Sequence, residues 1–162
     1  MFKVGILTIS DRCSKGLRKD ESGEAIQEMA AGLNGEIVQY EIVPDDREII
    51  AQKLTQMVDV TGCELVLTTG GTGFSPRDIT PEATSMVIEK QVPGLAEAMR
   101  LTSIKITPHA MLSRAIAGIR KQCLIVNLPG SSKAATECLD AIMPALPHGL
   151  NVLRGDVSDC GH

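Results

Sequence analysis

Two glycine-rich loops have the residue types and spacing that are typical of a binding site. The first is Gly70-Gly71-Thr72-Gly73, and the second is Pro129-Gly130-Ser131-Ser132, followed by Lys133. Glycine lets a backbone adopt positive φ and approach a ligand closely, so that N–H groups face an anion such as phosphate. Taken alone, the first loop is as compatible with a tight structural turn as with an anion site. In the second loop, N-capping of the following helix is the favoured interpretation of either serine taken alone, although a helix N-terminus also attracts anions and Lys133 would add a positive charge.

Neither loop matches a well-known nucleotide motif. The dinucleotide fingerprint needs a helix directly after its third glycine, and the P-loop needs Gly-Lys followed by Ser or Thr. Here Phe74-Ser75-Pro76 follows the first loop. The nucleophile motif Gly-x-Ser-x-Gly is absent, and His109, His148 and His162 have no metal-ligand spacing. Acyl transfer by a serine triad, zinc hydrolysis and hydride transfer therefore have no support in the sequence.

Acidic residues near the loops are candidates for metal binding. Asp45-Asp46-Arg47-Glu48 fits a capping box with Asp45 as the N-cap, and on local grounds this is its favoured interpretation. Asp78 lies in a loop, where it could close an Asx-turn. If both carboxylates face one phosphate site, they are suited to Mg²⁺, which takes few protein oxygens together with ligand phosphates. Arg114, next to Ser113, is a candidate bidentate phosphate donor, although a lone arginine is usually a solvated side chain.

The composition limits the class of protein. The chain has 162 residues, 43% hydrophobic and 22% charged, which predicts one globular domain over residues 1–162. Its net charge of −4 and its three aromatic residues argue against nucleic-acid binding, which uses a basic face and stacking rings. The apolar run at the N-terminus ends at Ser10, too early for a signal sequence or a membrane span. We therefore expect a cytoplasmic protein.

The cysteines agree with a reducing compartment. Their number is odd, and no two have metal-finger or redox-motif spacing. We expect buried, reduced thiols rather than a disulfide framework. The five are Cys13, Cys63, Cys123, Cys138 and Cys160.

The elements that must position these residues alternate between strands and helices. Apolar runs predict strands at 3–9, 36–43, 64–69 and 123–128, and periodic apolar residues predict helices at 20–33 and 45–58. A third helix opens at Thr80-Pro81 with Thr80 as N-cap, a fourth starts near 95–101, and a last one follows Ser132 and ends at Pro144 and Pro147. Residues 104–122 give no clear pattern, and short strands are possible there. This alternation predicts an α/β fold with a mostly parallel sheet between helices.

The candidate residues follow the strands at their carboxyl ends. In open parallel sheets, ligands bind beyond these ends. The segments after the four strands are Ser10-Asp11-Arg12, Pro44-Asp45-Asp46, residues 70–78 and residues 127–133. All four contain Gly, Ser, Thr or Asp, so we expect them to converge on one rim.

The string from Thr68 to Thr84, TTGGTGFSPRDITPEAT, resembles the signature of the MogA/MoaB family of molybdenum cofactor biosynthesis, which includes bacterial molybdopterin adenylyltransferases and the G domain of gephyrin. Similar segments run along nearly the whole chain. They are Ser10-Asp11-Arg12, Asp20, Ser22-Gly23, Val43-Pro44-Asp45, Pro93-Gly94, Leu112-Ser113-Arg114, Ile119-Arg120, residues 127–131 and residues 144–148.

The resemblance implies a three-layer αβα sandwich that assembles as a homotrimer. It also implies Mg²⁺-dependent transfer of AMP from ATP to the terminal phosphate of molybdopterin, with Asp45 and Asp78 as the catalytic, metal-binding pair. Such a reaction needs no protein nucleophile, because the substrate's own phosphate attacks. The candidate substrate- and nucleotide-binding residues are Ser10, Asp11, Gly70, Gly71, Thr72, Gly73, Thr80, Glu82, Ser113, Arg114, Asn127, Pro129, Gly130, Ser131, Ser132 and Lys133.

Other interpretations stay open at this point. The segment from Asp140 to Gly149 is short and resembles the compact members of the family, some of which are paralogues of unclear activity. The same fold could therefore bind molybdopterin or a nucleotide without turnover, or act as a scaffold for other proteins of the pathway. An unrelated nucleotide-binding regulator has only fold-level support. Because aromatic residues are scarce, we expect the adenine and pterin rings to rest mainly on aliphatic side chains and peptide planes.

Overall fold

The computed structural model describes residues 1–157, which form a six-stranded sheet with helices on both faces. Cys160 and His162 lie outside the described residues. The strands are β1 (Phe2–Ile9), β2 (Gly35–Val43), β3 (Leu65–Thr69), β4 (Lys90–Gln91), β5 (Ala117–Arg120) and β6 (Cys123–Leu128). The helices are α1 (Asp11–Ser14), α2 (Glu21–Ala30), α3 (Arg47–Asp59), α4 (Thr80–Val87), α5 (Pro93–Ile104), α6 (Ser132–Ile142) and α7 (Leu146–Arg154), with 3-10 turns at Ala31–Leu33 and Pro108–Leu112.

The sheet is mostly parallel, as predicted. Its strand order is β2-β1-β3-β6-β5-β4, and β2, β1, β3 and β6 run parallel. β5 and β4 are antiparallel additions at one edge. Every residue of β3 and β6 is buried, which explains why their sequences are continuous apolar runs rather than alternating ones. The four parallel strands therefore present their carboxyl ends at one edge.

Two hydrophobic clusters, one on each face of the sheet, confirm the three-layer sandwich. On one face, α2, α5, α6 and α7 pack against the sheet around Ile26, Leu139 and Leu150. On the other face, α3 and α4 pack around Leu54 and Ala83. Within residues 1–157, no helix combines the length and the apolar character that a membrane crossing requires.

Three helix starts differ from the sequence-based expectation. Thr80 is the first residue of α4 rather than its N-cap, and its hydroxyl donates to the Gly70 carbonyl instead. Pro147 does not end a helix but stands in the first turn of α7, a position that tolerates proline because the N–H there has no helical partner. The short helix α1, capped by Ser10, was not predicted.

Asp59, at the end of α3, joins this helix to the β5 edge of the sheet. Its carboxylate accepts hydrogen bonds from Arg120 at 3.1 and 2.7 Å and lies 3.0 Å from Lys121 Nζ. The hydrogen bonds from Arg120 and Lys121 lower the pKa of Asp59 from 3.8 to about 2. The ion pair therefore stabilises the fold above the ordinary carboxyl pKa, and its contribution is lost as the pH falls through this window.

We expect Asp59→Asn to lower the urea midpoint at neutral pH and to approach the parent chain as the pH falls from 3.8 towards 2. Urea denaturation at several pH values measures this difference. Glu24→Gln, which removes the exposed partner of Lys19, is the control and should change the midpoint little. A midpoint difference for Asp59→Asn that is independent of pH would contradict the role of its charge.

Candidate active site

Two cavities open at the carboxyl end of the parallel strands, and the two glycine loops form the wall between them. A polar cavity of about 280 Å³ is lined by Gly70 and Gly71 and by residues 130–132. An apolar cavity of about 260 Å³ is lined by Thr72 and Gly73 and by Pro129. Residues after β1, β2, β3 and β6 all line the polar cavity, so the expected convergence on one rim is confirmed.

Asp45 faces the polar cavity because it is not the N-cap of α3, and the capping-box interpretation is wrong. Asp46 caps the helix instead, accepting a hydrogen bond from Ile49 N at 3.0 Å. The Asp45 carboxylate accepts from Asp11 N at 2.8 Å, and the Asp11 carboxylate accepts from Asp45 N at 3.0 Å. This reciprocal pair ties together the segments that follow β1 and β2.

The pKa of Asp45 is raised above its usual value. Burial is the largest cause, and the negative charges of Asp11 and Asp78 add to it, while the hydrogen bond from the Asp11 backbone opposes the shift. A carboxylate in this position is stabilised by a nearby cation. The cavity therefore places Asp45 where positive charge is favoured.

Asp78 lines the same cavity from the loop after β3. Its Oδ2 accepts from Ser75 N at 3.0 Å, and its own N–H donates to the Ser75 carbonyl at 2.9 Å. These two bonds close a tight turn between Ser75 and Asp78. The Asp78 side chain accepts from a residue that precedes it, whereas the predicted Asx-turn requires a donor that follows it. Arg77 donates to both oxygens of Asp11 at 2.9 and 3.0 Å, which fixes the loop to the Asp11–Asp45 pair and lowers the pKa of Asp11.

The first glycine loop packs too closely for side chains. Gly70 and Gly71 have φ values of 101° and 69°, in the region that favours glycine. A Cβ on Gly70 would lie 2.2 Å from the Ile9 carbonyl oxygen, and a Cβ on Gly71 would lie 2.3 Å from Thr80 Oγ1. The Thr80 hydroxyl donates to the Gly70 carbonyl at 2.8 Å and is fully buried. The loop conformation is therefore set by contacts with the backbone at the end of β1 and with the Thr80 side chain at the start of α4.

The second loop is tied to the first. Thr69 Oγ1 donates to the Pro129 carbonyl at 2.7 Å, and Gly70 N donates to the Leu128 carbonyl at 3.1 Å. Ser131 caps α6 by accepting from Ala134 N at 3.2 Å, as its local interpretation predicted, and it also lines the polar cavity. The N-terminus of α6, where N–H groups have no partner within the helix, thus opens towards Asp45 and Asp78.

Arg114 contacts the first loop on the side away from the two cavities. Its guanidinium donates to the carbonyls of Gly73 at 2.8 Å and Asp78 at 2.9 Å, and it pairs with Glu82. Neither Arg114 nor Glu82 lines either of the two cavities. In this structure Arg114 and Glu82 therefore contact the loop and its neighbours rather than either cavity. Ser113, in contrast, lines the apolar cavity.

Four further candidates, Asp11, Thr80, Asn127 and Lys133, do not line either cavity. Asn127 is fully buried, and its side chain donates to Thr68 and Thr84 at 3.0 and 2.9 Å and accepts from Ile116 N at 3.2 Å. It joins β3, α4 and the segment before β5 inside the fold. Lys133 does not line either cavity.

Asp20 was matched to the family but not predicted as a site residue. It caps α2 by accepting from Gly23 N at 3.0 Å, accepts from the hydroxyls of Thr8 and Tyr40, and lines the polar cavity. The pKa of Tyr40 is raised, first by burial and then by Asp20. From the sequence, the position of Asp20 before α2 predicts only an N-cap. The contact of Asp20 with Tyr40 on β2 joins residues 20 positions apart, so local sequence does not reveal it.

The apolar cavity has no aromatic lining among the described residues. Ala96 and Met99 of α5 and Leu112 form part of its wall, and Arg100 and His109 stand among its polar residues. Arg100 donates to the carbonyls of Ser113 and Ala115 at 3.2 and 3.0 Å, which fixes the segment before β5. The cavity thus offers aliphatic surface beside the glycine loops.

Comparison with known proteins places this geometry in a family. Residues 5–148 match the family model described as "Probable molybdopterin binding domain". The chain is 50% identical to the molybdopterin adenylyltransferase of Helicobacter pylori over 94% of this chain and 88% of that protein. It is 47% identical to gephyrin of Dictyostelium discoideum over 93% of this chain but 22% of that protein.

Solved structures agree with the sequence comparison. The crystal structure of the molybdopterin biosynthesis enzyme MoaB from Thermus thermophilus has a TM-score of 0.91 and 50% identity, covering 96% of this chain and 98% of that chain. The fold, the strand-end cavities and the signature at Thr68–Thr84 occur together in a chain whose similarity extends along nearly its whole length. This chain belongs to the molybdopterin-binding domain family of molybdenum cofactor biosynthesis.

Proposed function

We propose that the chain is a molybdopterin adenylyltransferase, which transfers AMP from ATP to the terminal phosphate of molybdopterin and releases pyrophosphate. The observation that carries this proposal is the polar cavity, where Asp45, Asp78, both glycine loops and the N-terminus of α6 meet. The relative from H. pylori bears the name of this activity at 50% identity. We propose that residues 1–162 act as one domain.

The backbone holds the phosphates in this proposal. Gly71 and the first residues of α6 line the polar cavity, and their backbone N–H groups are the proposed phosphate donors, because a helix N-terminus favours negative charge. Ser10, Ser131 and Ser132 add hydroxyl groups to the same wall. Binding by backbone amides suits a protein of net charge −4, because it needs no broadly basic surface.

Asp45 and Asp78 fit a magnesium ion. Each carboxylate uses Oδ2 to accept a backbone N–H, while Oδ1 accepts no hydrogen bond from residues 1–157. No group of three or more His, Cys, Asp or Glu suited to a metal occurs in the same range. Mg²⁺ commonly uses one or two carboxylates together with substrate phosphates. When bound, it supplies charge neutralisation at the phosphates.

The reaction needs positioning rather than a protein nucleophile. An oxygen of the terminal phosphate of molybdopterin forms a bond to the α-phosphorus of ATP, and the bond from that phosphorus to the β-phosphate oxygen breaks. Pyrophosphate leaves with the electron pair. The described residues contribute by holding the terminal phosphate of molybdopterin in line with the α-phosphate of ATP. Their backbone N–H groups face the negative charge that develops at the phosphates during the transfer.

We assign the ring system of one ligand, adenine or pterin, to the apolar cavity. This cavity shares the glycine-loop wall with the polar one, so a ligand whose phosphate lies beside Gly71 can place its ring beside Thr72, Gly73 and Pro129. The aliphatic lining agrees with the expectation that the rings rest on side chains such as Met99 and Leu112 rather than on aromatic residues.

The assembly is proposed to be a homotrimer in the cytoplasm, handing its product to other proteins of the pathway. A patch of exposed apolar side chains on α5 and the following turn supports an interface between copies. The patch consists of Leu101, Ile104, Ile106, Met111 and Leu112.

The direct test mixes purified protein, molybdopterin and Mg-ATP and measures pyrophosphate release. We expect turnover that stops when the divalent cation is chelated. Binding of molybdopterin and ATP without pyrophosphate release would overturn the proposal and favour a non-catalytic binding protein of the same pathway.

A further inference from the structure

The polar cavity carries more negative than positive charge. The carboxylates of Asp20, Glu21, Asp45 and Asp78 line it, and the only facing cations among the described residues are Arg18 and Lys19. ATP brings further negative charge to this site, and like charges repel strongly where water is partly excluded. The nucleotide therefore needs positive charge from the protein in addition to a bound metal ion.

Three of the nearby cations, Arg77, Arg114 and Lys19, already have acidic or carbonyl partners. Arg77 binds both oxygens of Asp11, and Arg114 binds the first glycine loop. Lys19 Nζ lies 3.0 Å from Glu24 Oε2, and that hydrogen bond raises the pKa of Lys19. Arg18, in contrast, makes no hydrogen bond or ion pair with any of residues 1–157. Of the two cations that line the cavity, Arg18 is therefore the one with no competing partner among the described residues, and its five N–H donors are available to a ligand.

The segment that carries Arg18 is anchored at both ends. At its start, Asp11 exchanges backbone–carboxylate hydrogen bonds with Asp45. At its end, buried Asp20 caps α2 and accepts from Thr8. Between these anchors, residues 15–19 are exposed. The segment therefore holds Arg18 at the mouth of the cavity while leaving the guanidinium free to meet an incoming group.

We propose that Arg18 binds the phosphate chain of the nucleotide and stabilises the departing pyrophosphate. This inference rests on the proposed function and adds a substrate-binding residue to it. A guanidinium presents a planar fork of donors that matches two phosphate oxygens at once. The inner end of the cavity, with Asp45 and both glycine loops, suits the reacting α-phosphate, so the exposed position of Arg18 suits the β- and γ-phosphates.

Arg18 keeps its proton throughout the reaction. When the bond between the α-phosphorus and the bridging oxygen breaks, the electron pair and the negative charge stay on pyrophosphate. The guanidinium lowers the energy of that charge by hydrogen bonding and neither gives nor takes a proton, because an arginine side chain is not deprotonated in proteins.

The test measures binding of Mg-ATP and of Mg-pyrophosphate by calorimetry for the parent chain, Arg18→Ala, Arg18→Lys and Lys15→Ala. Lys15 is the matched control, because its substitution removes one positive charge from the same exposed segment and it does not line the cavity. We expect Arg18→Ala to weaken both ligands about ten- to a hundredfold, as one charge-assisted contact does. Arg18→Lys should keep part of the affinity, and Lys15→Ala should stay within about twofold of the parent.

Steady-state kinetics give a second readout. Arg18→Ala should raise the KM for ATP and leave the KM for molybdopterin unchanged. Equal binding by Arg18→Ala and Lys15→Ala, or a rise in KM for molybdopterin alone, would overturn the inference. If the parent chain releases no pyrophosphate while Arg18→Ala still weakens Mg-ATP, the proposed function fails and the binding role of Arg18 stands.

Discussion

Asp45→Asn and Asp78→Asn should each reduce pyrophosphate release by about a hundredfold or more while leaving the fold intact. Removing one group that stabilises transition-state charge typically costs this much. Asparagine has the shape of aspartate and keeps a side-chain oxygen for the backbone donors, which are Asp11 N at position 45 and Ser75 N at position 78. The loss should therefore come from the missing charge rather than from a broken turn.

Asp46→Asn is the matched control for Asp45→Asn. It removes the same charge from the neighbouring residue, and asparagine caps helices about as well as aspartate does, so α3 should keep its cap to Ile49 N. Pyrophosphate assays, thermal denaturation and Mg²⁺ titration of all three variants measure the outcome. Near-parent turnover in both Asp45→Asn and Asp78→Asn, or an equal loss in Asp46→Asn, would overturn the assignment of the pair.

The same two aspartates show why local sequence could not complete the site. Asp45 and Asp46 fit the N-cap position equally well by residue type, and the chain nearby does not distinguish them. The choice depends on Asp11, 34 residues away, whose backbone N–H donates to the Asp45 carboxylate. The helix was predictable from its periodicity, but the residue that faces the cavity was set by a contact between the ends of two strands.

Arg114 shows the same limit of local sequence, in this case for a residue that does not line either cavity. The residue type suggested phosphate binding, yet its acceptors are the carbonyls of Gly73 and Asp78, 41 and 36 residues away. Nothing in the sequence marked Arg18 as a ligand-binding residue. Its guanidinium is available to a ligand because the neighbouring cations are paired with other residues, which only the three-dimensional structure shows. The family resemblance located the loops, while only the three-dimensional pairing separates groups that hold the loops from groups that face the cavity.

The sequence predicts well those parts of the fold where burial alone determines which residue types occur. β1, β3 and β6 lie in the centre of the sheet and are nearly or fully buried, so each is an unbroken apolar run. β4 has two exposed residues, and its pairing with β5 depends on an edge that sequence does not specify. α7 was missed because Pro147 ends one helix by the usual rule, whereas the chain uses it to start another.

Gly71→Ala should lower both the stability of the fold and the rate of pyrophosphate release. Its loss of stability should be far larger than that of Gly62→Ala. The two glycines have similar φ values, 69° and 76°, so both variants carry the same backbone strain of roughly 1–2 kcal/mol. A Cβ at Gly62 meets nothing within 4 Å, whereas at Gly71 it would lie 2.3 Å from Thr80 Oγ1 and 3.3 Å from Asp45 Oδ1. Overpacking of this kind typically costs a further ~1–3 kcal/mol.

The comparison separates strain from crowding, because subtracting the Gly62→Ala effect removes the common backbone contribution. The excess in Gly71→Ala should appear in urea denaturation, and the displaced Thr80 and Asp45 should weaken Mg-ATP binding in calorimetry. Thr80→Ala removes the Oγ1 atom that the new Cβ would meet, although it also loses the hydrogen bond to Gly70, so its destabilisation and that of Gly71→Ala should be less than additive. Equal stability of Gly71→Ala and Gly62→Ala would mean that the loop tolerates a side chain, and the close approach of α4 to Gly71 would then not be what shapes the phosphate site.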